Sequence, residues 1–189
     1  MLNYIFYRKF VCLGNGTRVM LRLLNGQDRE AFTQLFQEAC DEDARFLRED
    51  FKDQKVVNYW LDFIDYSQVL PLVAVDLKGH RFVANANLHR GNHAARHVGE
   101  IRIFVAEPFR DLGLGSVMLD ELINLALKEN LHWLKAEVIA DHKKVIKAFQ
   151  DKGFEVKANL DDYFIRKDGV THDVVLMMRP VLREEEEAF

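Results

Sequence analysis

HVGEIRIFVAEPFRDLGLGSVMLDELINLALKE, residues 97 to 129, decides how the rest of the chain is read. It is a strand, a glycine-bearing loop and a helix, in that order. Ile101, Ile103 and Val105 alternate with Arg102 and Phe104, which is the β period. Pro108 offers no N–H to a ladder and ends the strand. The loop Arg110-Asp111-Leu112-Gly113-Leu114-Gly115 follows. From Ser116 the apolar positions Leu119, Leu122, Ile123 and Ala126 recur at helical spacing.

Such a stretch is an anion cradle. Gly113 and Gly115 can take positive φ and let backbone approach a ligand closely. The first N–H groups of the helix have no partner inside it and point back at the loop. The positive end of the helix dipole adds to them, and Arg110 can add a charge-assisted contact. A phosphate or diphosphate suits the site. No Lys-Ser or Lys-Thr pair follows the second glycine, so the loop is not of the Walker type. It is a poor dinucleotide fingerprint too, because Arg110 stands where the first glycine would.

Arg110, Gly113 and Gly115 form the pattern Arg or Gln, two residues, Gly, one residue, Gly or Ala. This resembles the acyl-CoA loop of the GNAT acetyltransferase superfamily. The strand ending Phe104-Val105-Ala106, the aromatic Phe109 before the arginine and the later Gly153-Phe154 fit the same family. The resemblance is close over Val98 to Phe154 and loose over most of the chain. It implies an α/β fold of GNAT type, a mixed, mostly antiparallel sheet with helices on both faces. In that fold the strand before the cradle splays from the strand after its helix, and the pantetheine arm lies in the gap. It implies acetyl-CoA as co-substrate, with no metal. The residues implied to hold it are Phe104, Val105, Arg110, Asp111, Leu112, Gly113, Leu114, Gly115 and Ser116, together with His142 and Phe149.

Acyl transfer from a thioester to an amine needs in-line positioning, an oxyanion donor, a base for the ammonium and stabilisation or protonation of the leaving thiolate. By resemblance the Val105 N–H is the oxyanion donor and Glu100 the base. A carboxylate in a partly apolar cleft would have a raised pKa suited to that task. The competing reading is that Glu100 pairs with Arg102, two residues on and on the same strand face. Glu107 is less attractive because it lies in the loop. Where many family members carry asparagine and then tyrosine, this chain has His142 and Phe149, and phenylalanine donates no proton. Tyr163 is a substitute from a later strand. The leading reading is an N-acetyltransferase acting on a small-molecule amine or a protein lysine. The alternative is an acyl-CoA-binding sensor on the same fold.

The whole chain agrees with a globular class. It has 189 residues, 49% hydrophobic and 30% charged, enough for one domain with a substantial core. The reading is a single domain over residues 1–189 with a flexible acidic tail at 180–189. A net charge of −4 argues against a nucleic-acid binder relying on bulk positive charge. No run is apolar enough to span a bilayer. The start is a poor secretory signal because Arg8 and Lys9 interrupt its apolar run. A cytoplasmic protein is expected, and a homodimer is admitted. Cys12 and Cys40 sit in no metal spacing and are expected to be small buried hydrophobes.

In order, Tyr4–Leu13 and Thr17–Leu23 flank an Asn15-Gly16 turn and read as a hairpin. Asn25 or Asp28 caps a helix presenting Phe32, Leu35 and Phe36. The charge-dense segment 41–53 is a solvated face anchored by Phe46, Leu47 and Phe51, or else a wall of the acceptor pocket. Gln54–Ile64 is a helix, Val69–Leu77 and Arg81–Leu88 are strands, and Pro71 marks a strand end or edge. His89, His93 and His97 are spaced by four, but Gly91-Asn92 between them argues for a hairpin turn rather than a metal site. Trp133–Ala140 is a strand. Asp141 caps a helix through Lys152, with Val145, Ile146, Ala148 and Phe149 apolar and Gly153 ending it. Phe154–Ala158, Tyr163–Lys167 and Thr171–Met178 are the closing strands.

Overall fold

The computed structural model describes residues 6–40, 47–166 and 168–181. Eight strands hydrogen-bond in the order β1-β2-β3-β4-β5-β6-β8-β7. They are β1 (Lys9–Cys12), β2 (Arg18–Leu23), β3 (Val69–Asp76), β4 (Arg81–Arg90), β5 (Val98–Val105), β6 (Trp133–Ile139), β7 (Glu155–Ile165) and β8 (Thr171–Pro180). Four α-helices accompany them: α1 (Arg29–Gln37), α2 (Gln54–Asp62), α3 (Leu114–Lys128) and α4 (Lys143–Gln150). The chain divides into two compact units, Met1–Asn87 with Ile103–Met118, and Leu88–Arg102 with Leu119–Phe189. β4, β5 and α3 therefore run through both.

In the first unit β1 and β2 form the expected hairpin, with Lys9 opposite Leu21 and Cys12 opposite Arg18. Its turn closes through Leu13 N–H to the Thr17 carbonyl (2.8 Å), with Gly16 at φ 85°. β2 continues antiparallel onto β3 from Val19–Asp76 to Leu23–Leu72. Pro71 falls just beyond that last pair, so its missing N–H costs the β2 ladder nothing, and its carbonyl accepts from Leu24 N–H (2.9 Å). The strand itself lies between two others, so the edge reading of Pro71 is corrected.

Asn25 and Asp28 both act at the start of α1. The Asn25 side chain accepts from Gln27 N–H, and Asp28 reaches back to Asn25 N–H (2.9 Å), a reciprocal cap on the short 3-10 turn before the helix. Asp53 caps α2 by accepting from Lys55 N–H. The two helices bury Phe32, Leu35, Phe36, Val57 and Leu61 with Phe51, Val73, Phe82 and Phe104 in one apolar cluster. Its aromatic members meet edge to face or tilted, Phe32–Phe36 at 5.0 Å and Phe36–Phe104 at 5.0 Å between ring centroids. Of the three anchors expected in the charge-dense segment, Phe51 is buried and Leu47 packs against the cluster. Phe46 and the rest of 41–46 lie outside the described residues.

In the second unit β5 and β6 pair in parallel, Val98 opposite Trp133 through Ile101 opposite Ala136. β6 then pairs antiparallel with β8, and β8 with the edge strand β7. One strand with two register shifts replaces the two short strands expected over 154–167, because Leu160 and Phe164 each find a partner on β8 across the irregularity. His142 takes the N-cap position of α4 in place of Asp141, without a side-chain cap bond. Only Phe149 of the expected apolar side is buried, and Val145 is exposed. Gly153 at φ 80° closes that helix as expected. The His93 region is a hairpin turn between β4 and β5, closed by Gly91 N–H to the Val98 carbonyl (2.9 Å).

Cys12 and Cys40 are exposed free thiols, not the buried hydrophobes expected. Each sits where its element faces solvent, Cys12 at the end of β1 and Cys40 just past α1. Residues 182–189, which carry most of the acidic tail, lie outside the described residues, as do Met1–Ile5 and Lys167. No described helix is long and apolar enough to cross a membrane.

Candidate active site

The cradle is built within the first unit. After β5 the chain makes one 3-10 turn, Glu107–Phe109, with Pro108 inside it. The Phe109 ring is buried, and the Arg81 guanidinium lies 5.7 Å over it. Arg110 resumes extended backbone. Asp111 (φ 56°) and Gly113 (φ 87°) then both take left-handed conformations, which turn the chain sharply into α3. The loop is tied to the β1–β2 turn by Gly14 N–H to the Leu112 carbonyl (3.4 Å).

The helix begins at Leu114, earlier than the expected Ser116. Its first internal bond is Val117 N–H to the Gly113 carbonyl (3.1 Å). The N–H groups of Leu114, Gly115 and Ser116 thus precede the ladder and face outward along the dipole. Gly115 is helical, so its expected positive φ is corrected: only Gly113 uses that freedom. What Gly115 contributes is a missing side chain. A Cβ there would meet only Val105 Cγ2, at 3.8 Å, an ordinary contact. A Cβ on Gly113 would meet nothing within 4 Å. Packing inside the chain therefore does not explain the second glycine. Leu114 is buried and anchors the turn.

The end of β5 is aimed by its neighbours. Ala106 N–H donates to the Val83 carbonyl of β4 (2.9 Å). Backbone groups alternate sides along a strand, so the Val105 N–H and carbonyl point to the other edge. Arg110 Nε donates to that Val105 carbonyl (3.0 Å). This contact was not foreseen, since nothing in the spacing of an arginine and a valine announces it. Phe104 turns its ring into the α1–α2 cluster, so its reach toward a ligand is through backbone.

Glu100 is placed otherwise than expected. Its carboxylate receives Arg102 Nε at 2.7 Å and Lys135 Nζ at 2.9 Å, and Lys135 also lies 3.5 Å from Glu137. Burial pushes the Glu100 carboxyl up, but the hydrogen bonds and charges of Lys135 and Arg102 outweigh it and hold the pKa at about 2. The expected raised pKa is therefore overturned. The alternative reading, pairing with Arg102, is what the structure shows, with Lys135 as a second partner that sequence reasoning missed. The same contacts push the Lys135 ammonium upward against the opposing effect of burial.

A group whose folded pKa is depressed stabilises the fold above its unfolded value and loses that contribution as pH falls through the folded one. Glu100 should therefore support the fold from about pH 4.5 upward and cease to do so by about pH 2. Glu100→Gln is expected to cost about 1–3 kcal/mol at neutral pH, since it leaves two half-buried cations without their shared anion. The penalty should shrink toward pH 2. Thermal melts from pH 2 to 7 check it; a penalty that stays constant over that range removes the ion network.

His142 is exposed at the head of α4. Phe149 is buried and its ring meets Phe154 edge to face at 5.0 Å, so most of its surface is already used. Tyr163 is half exposed on the edge strand, its ring beside Phe164. Among the described residues no three His, Cys, Asp or Glu side chains are grouped to hold a metal.

Among solved structures, the fold is similar to a ribosomal-protein-S5-alanine acetyltransferase from Vibrio fischeri, at 17% identity and TM-score 0.77, covering 86% of this chain and 92% of that one. It is also similar to the GNAT domain of S. lividans PAT, at 22% identity and TM-score 0.74, over 92% and 96% of the two chains. A third similar structure is a GNAT superfamily phosphinothricin acetyltransferase from Sinorhizobium meliloti in complex with AcCoA, at 20% identity and TM-score 0.73, over 86% and 88%. No curated protein matches the chain. The model of the Acetyltransferase (GNAT) family matches residues 29–154, which span α1 to the end of α4 and contain the whole cradle. With strand, cradle and helix in the arrangement just described, the chain belongs to the GNAT family of acetyltransferases.

Proposed function

We propose that this acetyltransferase moves an acetyl group from acetyl-CoA to the nitrogen of an amine, by direct attack on the thioester. The observation that carries the reading is the start of α3: three outward N–H groups, a left-handed Gly113, and a Gly115 that packing does not require. Such a surface matches a diphosphate in charge, donors and clearance. The N–H groups of Leu114, Gly115 and Ser116 hold the diphosphate of the co-substrate, and its thioester supplies the activated acetyl group. Backbone of Phe104 and Val105 aligns the pantetheine arm. The Val105 N–H, on the strand edge away from β4, donates to the carbonyl oxygen as it gains charge. Glu100 stays ionised and paired, so the acceptor ammonium gives up its proton to water rather than to that carboxylate.

Proteins of similar fold are named for acetylation of ribosomal-protein alanine and of spermidine, which supports reading the acceptor here as an amine, small or protein-borne. A binding-only sensor has no support beyond Phe149, and Phe149 spends its ring on Phe154. The test is release of free CoA from acetyl-CoA against a panel of amines, polyamines and lysine or N-terminal peptides. Release with at least one class supports the reading; tight binding with none overturns it.

Arg110→Ala is expected to weaken acetyl-CoA binding by about tenfold, of order 1.4 kcal/mol. It removes both a cation at the cradle and the bond that fixes the Val105 carbonyl. Calorimetric titration of acetyl-CoA checks it, and unchanged affinity takes Arg110 out of the cradle.

A further inference from the structure

The second unit carries a concave feature that acetyl transfer does not use. Arg96, His97, Asn130 and His132 line a surface cavity of about 590 Å³. Topology brings them together. β5 and β6 run parallel with Val98 opposite Trp133, so His97 and His132, one step earlier, enter side by side. The His97 carbonyl accepts from both His132 N–H (2.8 Å) and Trp133 N–H (3.1 Å), which fixes the two backbones. The imidazole rings stand 5.9 Å apart between centroids, at 62°.

The lining offers hydrogen-bond donors. A guanidinium has five, a carboxamide two and each imidazole at least one. Among the described residues no carboxylate lines the cavity. The end of α3 is closed rather than bare: Glu129, Asn130 and Leu131 donate their N–H groups to the carbonyls of Leu125, Leu127 and Ala126. Asn130 takes φ 56° to do so. The negative end of that helix, which would repel an anion, is thus already satisfied. Beside Asn130 in the chain stand Lys128 and Glu129, the latter in an ion pair with Arg90 at 2.6 Å. β8 ends at Pro180, opposite Trp133, and Val181 follows it; neither titrates.

We propose that this cavity binds a small oxyanion, held by the Arg96 guanidinium and by ring N–H groups of His97 and His132. The oxyanion has two sources, a free phosphate or the chain's own carboxylates Glu184 to Glu187. The latter follow shortly after Val181, whose N–H bonds to the His132 carbonyl (2.9 Å).

The experiment titrates inorganic phosphate into the full chain and follows the ring-proton NMR signals of His97 and His132. Phosphate held at the start of α3 instead would leave these two signals unmoved. Both signals are expected to shift. Arg96→Gln, and His97→Gln with His132→Gln, should each weaken binding about tenfold or more with the far-UV circular dichroism unchanged. A chain ending at Val181 separates the sources. Equal affinity with and without the last residues assigns the site to a free anion; binding gained only on their removal assigns it to the chain's own glutamates. The proposal is overturned if the two signals shift in neither form, or if the double histidine variant binds as well as the parent.

Discussion

Gly115→Leu is expected to lower acetyl-CoA affinity by about 100-fold or more, roughly 2.7 kcal/mol, while the melting temperature stays level or rises. The two halves of this expectation have separate causes. Gly115 is an ordinary helical residue, and a Cβ there touches only Val105 Cγ2 at 3.8 Å. Replacing a helical glycine by a better helix former contributes about 0.5–1 kcal/mol. The same side chain stands over the N–H groups of Leu114 and Ser116, where the diphosphate has to lie. Gly115→Ala is the graded control, with a smaller loss of affinity and the same gain in stability. Calorimetry with acetyl-CoA and a thermal melt of each variant decide the matter. Full affinity in Gly115→Leu means the co-substrate does not sit at this helix start. A large loss of stability means the glycine serves packing after all.

Gly91→Ala should have the largest effect on stability, about 3 kcal/mol or more, and a fall in melting temperature of roughly 6–12 °C for a chain of this size. Gly91 opens the β4–β5 turn. A Cβ built on it would stand 2.2 Å from the Ala95 carbonyl oxygen, 2.9 Å from its carbon and 3.1 Å from the Val98 oxygen. All three are backbone atoms, so no flexible side chain can yield. Relief requires moving the turn and giving up Gly91 N–H to the Val98 carbonyl, the bond that closes it. Gly99→Ala is the informative comparison: its Cβ would press on Leu131, Leu88 and Leu134 at 2.7–3.0 Å, but those are side-chain atoms that can rotate. A smaller cost at Gly99 than at Gly91 is therefore expected. Equal costs would mean that the turn rearranges freely.

Some of the molecule was legible because its signal is local. Alternation from Ile101 to Val105, a proline, two glycines and a helical repeat all lie within one short stretch, and they describe strand, cradle and helix together. The β1–β2 hairpin was legible for the same reason, from Asn15-Gly16 between two apolar runs. The caps at Asn25 and Asp28 follow from side chains that bond their own neighbouring backbone. Where the reading failed, the missing information was distant in sequence. β7 was divided in two because its irregularities resemble a break, and only pairing with β8 shows one strand. The buried role expected of Cys12 and Cys40 failed because hydrophobic preference says nothing about which side of an element faces solvent.

The amino-acid sequence alone determined that a helix with free amides follows a strand through a glycine turn, because those features depend on φ preferences, a missing N–H and the helical period. Tertiary structure alone decided the charge state of Glu100 and the company of His97. Parallel pairing of β5 with β6 sets Lys135 opposite Glu100 and carries His132 alongside His97. Register between strands is fixed by the packing of whole faces, which no single stretch of sequence encodes.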